Sequence, residues 1–150
     1  MYKRIMVAID SSPTANKALL EALELAKCVG ATLCIVHAED ESLLEQHGMG
    51  IGTFIDVEKA EAAIRAAGNL LLDTAVAVAA AAGVQAERLL LESGKKRVAD
   101  LIADGARDWQ ADLIVVGTHG RRGFERFVVG SVAEKLVRIA DASLMLVREA

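Results

Sequence analysis

Residues 112–132 read DLIVVGTHGRRGFERFVVGSV, and this stretch decides the fold. After one acid, residues 113–116 form a continuous apolar run, the pattern of a parallel strand buried on both faces. Gly117 and Gly120 then break the run, and Gly130-Ser131 opens a helical pattern that continues to about Ala140. A strand, a glycine-bearing loop and a helix start in this order mark the place where open α/β sheets hold ligands. Glycines let the chain approach a ligand and turn successive N–H groups inward, while the free N–H groups of a helix start favour an anion. Ser131 can cap that helix or donate to a phosphate. Arg121, Arg122 and Arg126 gather positive charge here, in a chain whose formal net charge is −4. On this chemistry two readings stay open: an anion-binding loop, or an ordinary glycine-rich turn before a capped helix.

Outward from this stretch, short β-branched runs alternate with longer helical patterns, the form of repeated βα units on a parallel sheet. Strands are predicted at 4–9 (RIMVAI), 32–38 (TLCIVHA), 86–91 (AERLLL), 112–116 (DLIVV) and 143–147 (SLMLV). Helices are predicted at 13–29, 56–82, 97–109 and 131–140. Ser11, Ser12 and Pro13 supply an N-cap and a first-turn proline for the first helix, and Gly30 closes it. The second is the longest and Ala-rich, with Gly68 and Asn69 as its expected weak points and Gly83 as its end. A polar, glycine-bearing stretch at 39–53 separates it from the second strand.

At 150 residues the chain has the size of one ordinary domain, which needs no disulfide or metal to hold a core. Hydrophobic residues make up 53% and aromatics only 3%, so the core is built from Ala, Val, Leu and Ile, and base-stacking on nucleic acid is excluded as a function. The acidic balance works equally against anionic lipid. No run approaches the uninterrupted apolar length of a bilayer span, and 1–10 lacks a signal-peptide core, so a cytoplasmic chain without membrane insertion is expected. Cys28 and Cys34 have no metal-site spacing and are expected as buried reduced thiols.

The spacing G-x2-G-x9-G-S, met by Gly117, Gly120, Gly130 and Ser131, together with RIMVAID at the start, resembles the universal stress protein family in its ATP-binding subtype. The likeness runs through the whole chain, 1–150, as one domain of that kind. It implies an open five-stranded parallel sheet in the order 3-2-1-4-5, Rossmann-like, with helices on both faces. It also implies ATP at the carboxyl ends of the strands, Mg²⁺ carried through the phosphates, and a homodimer formed through the last strand, 143–147. Carried over by residue, Gly117 would lie against the ribose, and Gly120, Gly130, Ser131 and Val132 would offer donors to the phosphates. Thr118, His119 and Arg121 would line the same loop. Asp10 would stand near ribose or a phosphate-bound metal, with a helix-start cap as its simpler role, and Ala8 and Ala38 fall at adenine-contacting positions. The chain departs from the family pattern with Ala142-Ser143 where Cys-Pro is frequent, which weakens the dimer inference, and with Val98 where proline often opens the third helix.

Other motifs are thinner. There is no G-x4-G-K-[ST], and Gly48, Gly50 and Gly52 lack the dinucleotide-binding spacing, so that stretch reads as a lid or spacer. His37, His47 and His119 have no zinc-site spacing. His37 reads as strand-end packing, Trp109 as a packing residue, and Lys95-Lys96-Arg97 as a solvated turn. The functional expectation is an adenine-nucleotide-binding regulatory protein that signals to an unidentified protein partner. The alternatives are a slow ATPase or autophosphorylating enzyme, for which no general base emerges, and a dimeric interaction module independent of nucleotide.

Overall fold

The computed structural model of the protein describes residues 1–40, 56–119 and 129–149. Five strands, β1 (Arg4–Ala8), β2 (Thr32–Ala38), β3 (Ala86–Leu91), β4 (Leu113–Gly117) and β5 (Ser143–Val147), form one parallel sheet ordered β3-β2-β1-β4-β5. Helices α1 (Pro13–Val29), α2 (Val57–Ala81), α3 (Val98–Trp109) and α4 (Ser131–Ile139) connect them. Among the described residues, predicted and observed elements agree in number and kind, and the sheet order is the one that the family resemblance implied. Expected lengths differ by a residue at several ends, for reasons visible in the side chains. Asp56 caps α2 by accepting from Lys59 N, so the helix begins one residue later. Asp112 is no part of β4: its carboxylate accepts from the N–H groups of Lys3 (2.8 Å) and Arg4 (3.0 Å) and so ties the start of β1.

The strand period of two sorts each strand into two faces. Ile5, Val7, Leu33, Ile35, Leu113 and Val115 face α1 and α2, against Ala18, Leu19, Ala22, Leu23 and Leu72. Met6, Cys34, Val36, Ile114 and Val116 face α3 and α4, against Ile102, Ala106, Ala133 and Leu136. Both cores are therefore aliphatic, as the composition required. Helix α1 is held at both ends: Ser12 Oγ accepts from Ala15 N at 3.2 Å, and Gly30 closes it with φ of 69°. The Lys95–Arg97 turn is ion-paired at its surface, where Lys96 Nζ meets Asp104 at 2.7 Å.

Two expectations are corrected. Cys28 is exposed; only Cys34 is buried. The α1 face that packs on the sheet carries Ala22, Leu23 and Ala26, and Cys28 lies off it. Gly68 and Asn69 do not weaken α2, which runs unbroken for 25 residues. A Cβ at Gly68 would stand 2.8 Å from Leu90 and 3.0 Å from His37, so the glycine is what lets the helix lie close on β2 and β3. Asn69 and Asp73 both accept hydrogen bonds from the Arg88 guanidinium on β3. By length and composition α2 is apolar enough to cross a membrane. In this fold it is a layer of the sandwich, seated on the sheet through Gly68, Leu72, Ala75 and Ala79.

Burial pushes the Cys34 thiol from near 9 up to about 12, with Glu87 adding to the rise and Arg4 opposing it. In the unfolded chain this thiol ionises first, so the native state holds the proton more tightly. Its contribution to stability is complete below about pH 9 and is lost as the pH rises towards 12. Unfolding free energies from urea titrations at pH 8 to 11 should fall less steeply in Cys34→Ala than in the parent, by up to about 1.4 kcal/mol per pH unit. Under native conditions a thiol reagent should modify Cys28 alone.

Candidate functional site

Strand order alone places a crevice. The connection leaving β1 leads to β2 on one side, while β4 enters on the other side of β1 from β3, so the chain reverses its direction of winding between β1 and β4. Beyond the carboxyl ends of these two strands lie most of the described candidate residues. Ala8 ends β1, half-buried, and Asp10 follows two residues later. Gly117 ends β4, and Thr118 and His119 continue from it. Ala38 ends β2, buried, one strand farther out beside Leu91. Gly120 and Arg121, like Arg122, Arg126, His47 and the glycines at 48, 50 and 52, lie outside the described residues.

The start of α4 is brought to the end of β4 by one hydrogen bond, from Gly130 N–H to the Thr118 carbonyl at 2.6 Å. That bond commits the Gly130 N–H, which sequence reasoning offered to a phosphate. Gly130 is the N-cap, without a side-chain cap bond, and the first intrahelical bond runs from Glu134 N to its carbonyl. Ser131, half of the cap expected from sequence, is instead the first helical residue and exposed. The N–H groups of Ser131, Val132 and Ala133 thus have no acceptor within the helix, and the positive end of its dipole lies at the crevice.

Opposite this helix start, Asp10 Oδ1 accepts from Ser12 N at 2.7 Å, which orders the turn into α1. Ser12 is the residue that caps the helix, and Asp10, bonded to the Ser12 N–H, stands beside it at the helix entry. Thr118 is buried, and its hydroxyl lies 3.1 Å from His119 Nδ1. His119 Nε2 is buried and has no hydrogen-bond partner among the described residues. A buried polar nitrogen without a partner is costly unless a ligand or solvent completes it.

Sequence reasoning passed over Thr14. Its hydroxyl donates to the His119 carbonyl, and a Cβ on Gly117 would stand 2.9 Å from Thr14 Cβ and Oγ1. Gly117 is therefore required by the close approach of β4 to the first turn of α1, independently of any ligand. Only the packing shows this, because the two residues are more than a hundred apart in sequence and Thr14 reads as an unremarked first-turn residue. His37 and Trp109 are packing residues, as expected. His37 Nδ1–H donates to the Ile9 carbonyl at 2.8 Å, and Trp109 lies under the Arg4 guanidinium at 3.9 Å while donating to Glu87.

A second cleft lies over the ends of β2 and β3, lined by Glu39, Glu61, Arg65, Glu92 and Ser93 among others. The one guanidinium among its described lining residues, Arg65, is shared between Glu39 at 3.9 Å and Glu92 at 3.5 Å. So many carboxylates repel phosphate, and the cleft is no candidate for the anion. Among the described residues no group of three or more His, Cys, Asp or Glu is placed to hold a metal ion.

The family model described as the universal stress protein family matches residues 1–148. The chain is 33% identical over 153 residues to universal stress protein YxiE of Bacillus subtilis, across 99% of this chain and 100% of that protein. A crystal structure of a protein from the universal stress protein family of Burkholderia pseudomallei is 34% identical, with a TM-score of 0.76 over 97% of this chain and 96% of that one. The universal stress protein from Archaeoglobus fulgidus solved in complex with dAMP is 29% identical, with a TM-score of 0.66 over 97% and 98% of the two chains.

Proposed function

This chain belongs to the universal stress protein family, and on that premise we propose that it is a regulatory protein that binds an adenine nucleotide between β1 and β4. The observation that carries the reading is the pairing of an α4 start lacking a side-chain cap with the unpartnered, buried His119 Nε2 on the facing loop. Both are donor positions for an anion, on the condition that His119 carries its ring proton on Nε2. In that tautomer Nδ1 accepts from the buried Thr118 hydroxyl 3.1 Å away, which leaves the proton on Nε2. ATP is the proposed ligand, with Mg²⁺ carried on its phosphates. Ser131 and Val132 N–H would meet the phosphates, Asp10 the ribose, and Ala8 and Ala38 the base. Bound nucleotide would supply a charge and shape signal for a protein partner in the cytoplasm.

No described side chain is placed as a general base for phosphoryl transfer, so binding rather than turnover is the proposed activity. A thermal melt of the purified protein titrated with MgATP tests the reading, on protein first shown by denaturation to carry no nucleotide. Saturation at 100 times Kd should add about 2.7 kcal/mol, or roughly 5 to 10 °C. No saturable shift up to millimolar MgATP would overturn it.

The same proposal includes a homodimer through β5. This strand pairs only with β4 and ends the sheet, with Leu144, Met145 and Leu146 half-buried, so a second copy would cover unpaired backbone groups and apolar side chains together. Sedimentation equilibrium at micromolar concentration should give twice the 15.9 kDa chain mass; a monomer there removes the dimer.

A further inference from the structure

We propose that Thr14 is a positioning residue for the nucleotide loop, its hydroxyl holding the exit of β4 in register with the start of α1. The inference rests on the nucleotide reading above and adds a residue which that reading does not use. Thr14 is 2% exposed, and its hydroxyl proton is directed to the His119 carbonyl. A hydroxyl has one proton, so the 3.3 Å contact between Ser12 Oγ and Thr14 Oγ1 takes its proton from Ser12. Ser12 Oγ in turn accepts from Ala15 N, and Ser12 N donates to Asp10. Hydrogen bonds thus link Asp10, Ser12, Thr14 and His119: Ser12 donates from its N–H back to Asp10 and from its Oγ on to Thr14, which donates to the His119 carbonyl. Together they span the crevice from the residue proposed at the ribose to the loop proposed at the phosphates.

These bonds make the two halves of the site one unit. Without the Thr14 hydroxyl the His119 carbonyl loses that donor, and the close packing of Gly117 against Thr14 remains between the end of β4 and α1. The ring of His119 and the Thr118 carbonyl that receives Gly130 N–H belong to the anchored residue and the one before it. A nucleotide that contacts both edges of the crevice meets a preset spacing only while the anchor holds.

Thr14→Val keeps the volume and removes the hydroxyl; Thr14→Ser keeps the hydroxyl and removes the methyl. MgATP affinity is measured by calorimetric titration on both and on the parent, with melting temperatures taken in the absence of nucleotide. Thr14→Val should weaken binding about tenfold, the effect of one positioning hydrogen bond. Thr14→Ser should bind within about twofold of the parent even where its melting temperature is lower. A merely structural role predicts that affinity follows melting temperature in both. Parent-like binding by Thr14→Val, or binding by Thr14→Ser as weak as that of Thr14→Val, overturns the proposal. If Thr14→Val shows no cooperative melt, Thr14→Ala takes its place with the same expected loss. A parent that binds no MgATP overturns the nucleotide reading itself, and the positioning role with it.

Discussion

Gly117→Val should abolish detectable nucleotide binding and lower the melting temperature by about 2 to 12 °C. The stability figure follows from overpacking. The first added carbon meets Thr14 Cβ and Oγ1 at 2.9 Å and the Thr14 backbone carbon at 3.1 Å, and a helix backbone has no room to yield. Forcing groups into a packed contact of this kind costs about 1–3 kcal/mol, and for a chain of this size each kcal/mol moves the midpoint by about 2–4 °C. The binding figure follows from geometry, because relief comes only by moving the end of β4 away from α1, which breaks the Thr14 bond to His119 and displaces the loop. A melting curve and a calorimetric titration on the same preparation check both. Gly117→Val that binds MgATP like the parent would show that the crevice does not need β4 so close to α1.

The second large effect belongs to Leu72→Ala, expected to cost about 3–5 kcal/mol, the upper part of the range for buried leucine truncations. Of the 25 residues of α2 only Gly68, Leu72, Ala75 and Ala79 are buried, and Leu72, fully enclosed, is the one large side chain among them. The small neighbours cannot collapse into the space it leaves, so the cavity persists. The midpoint of unfolding should fall by about 6 to 20 °C, read by calorimetry. A loss below about 1 kcal/mol would mean that α2 is held by its surface pairs and its partly buried residues. Nucleotide affinity of the folded fraction should be unchanged, since Leu72 packs beneath α2 against the sheet and not at the β1–β4 crevice.

The contrast between these substitutions shows how the molecule is encoded. Apolar runs such as LIVV in β4 and IMV in β1 are long enough and sufficiently β-branched to be legible as strands, and Ser12, Gly30 and Gly83 mark helix ends by chemistry that acts within a few residues. Gly68 was legible as a glycine but not as a contact. Its propensity disfavours helix, yet the position is decided by His37 and Leu90, which approach it from other strands. Cys28 was misplaced for a related reason: in an Ala-rich helix the apolar stripe is broad, and only packing on the sheet decides which edge of it is covered.

At the candidate site the glycine spacing pointed to the exit of β4 and to the start of α4. It did not show that Gly130 spends its N–H on Thr118, or that Gly117 is small because of Thr14. The sequence by itself determined what depends on near neighbours and on side-chain type: the alternation of strands and helices, their caps, an aliphatic core, and a concentration of glycine and arginine after β4. The tertiary structure decided what depends on groups far apart in the chain, because hydrogen bonds and van der Waals contacts are set by positions that no local propensity specifies. It alone joined Asp10, Ser12, Thr14 and His119 across the crevice, and left His119 Nε2 buried with a bond still to be made.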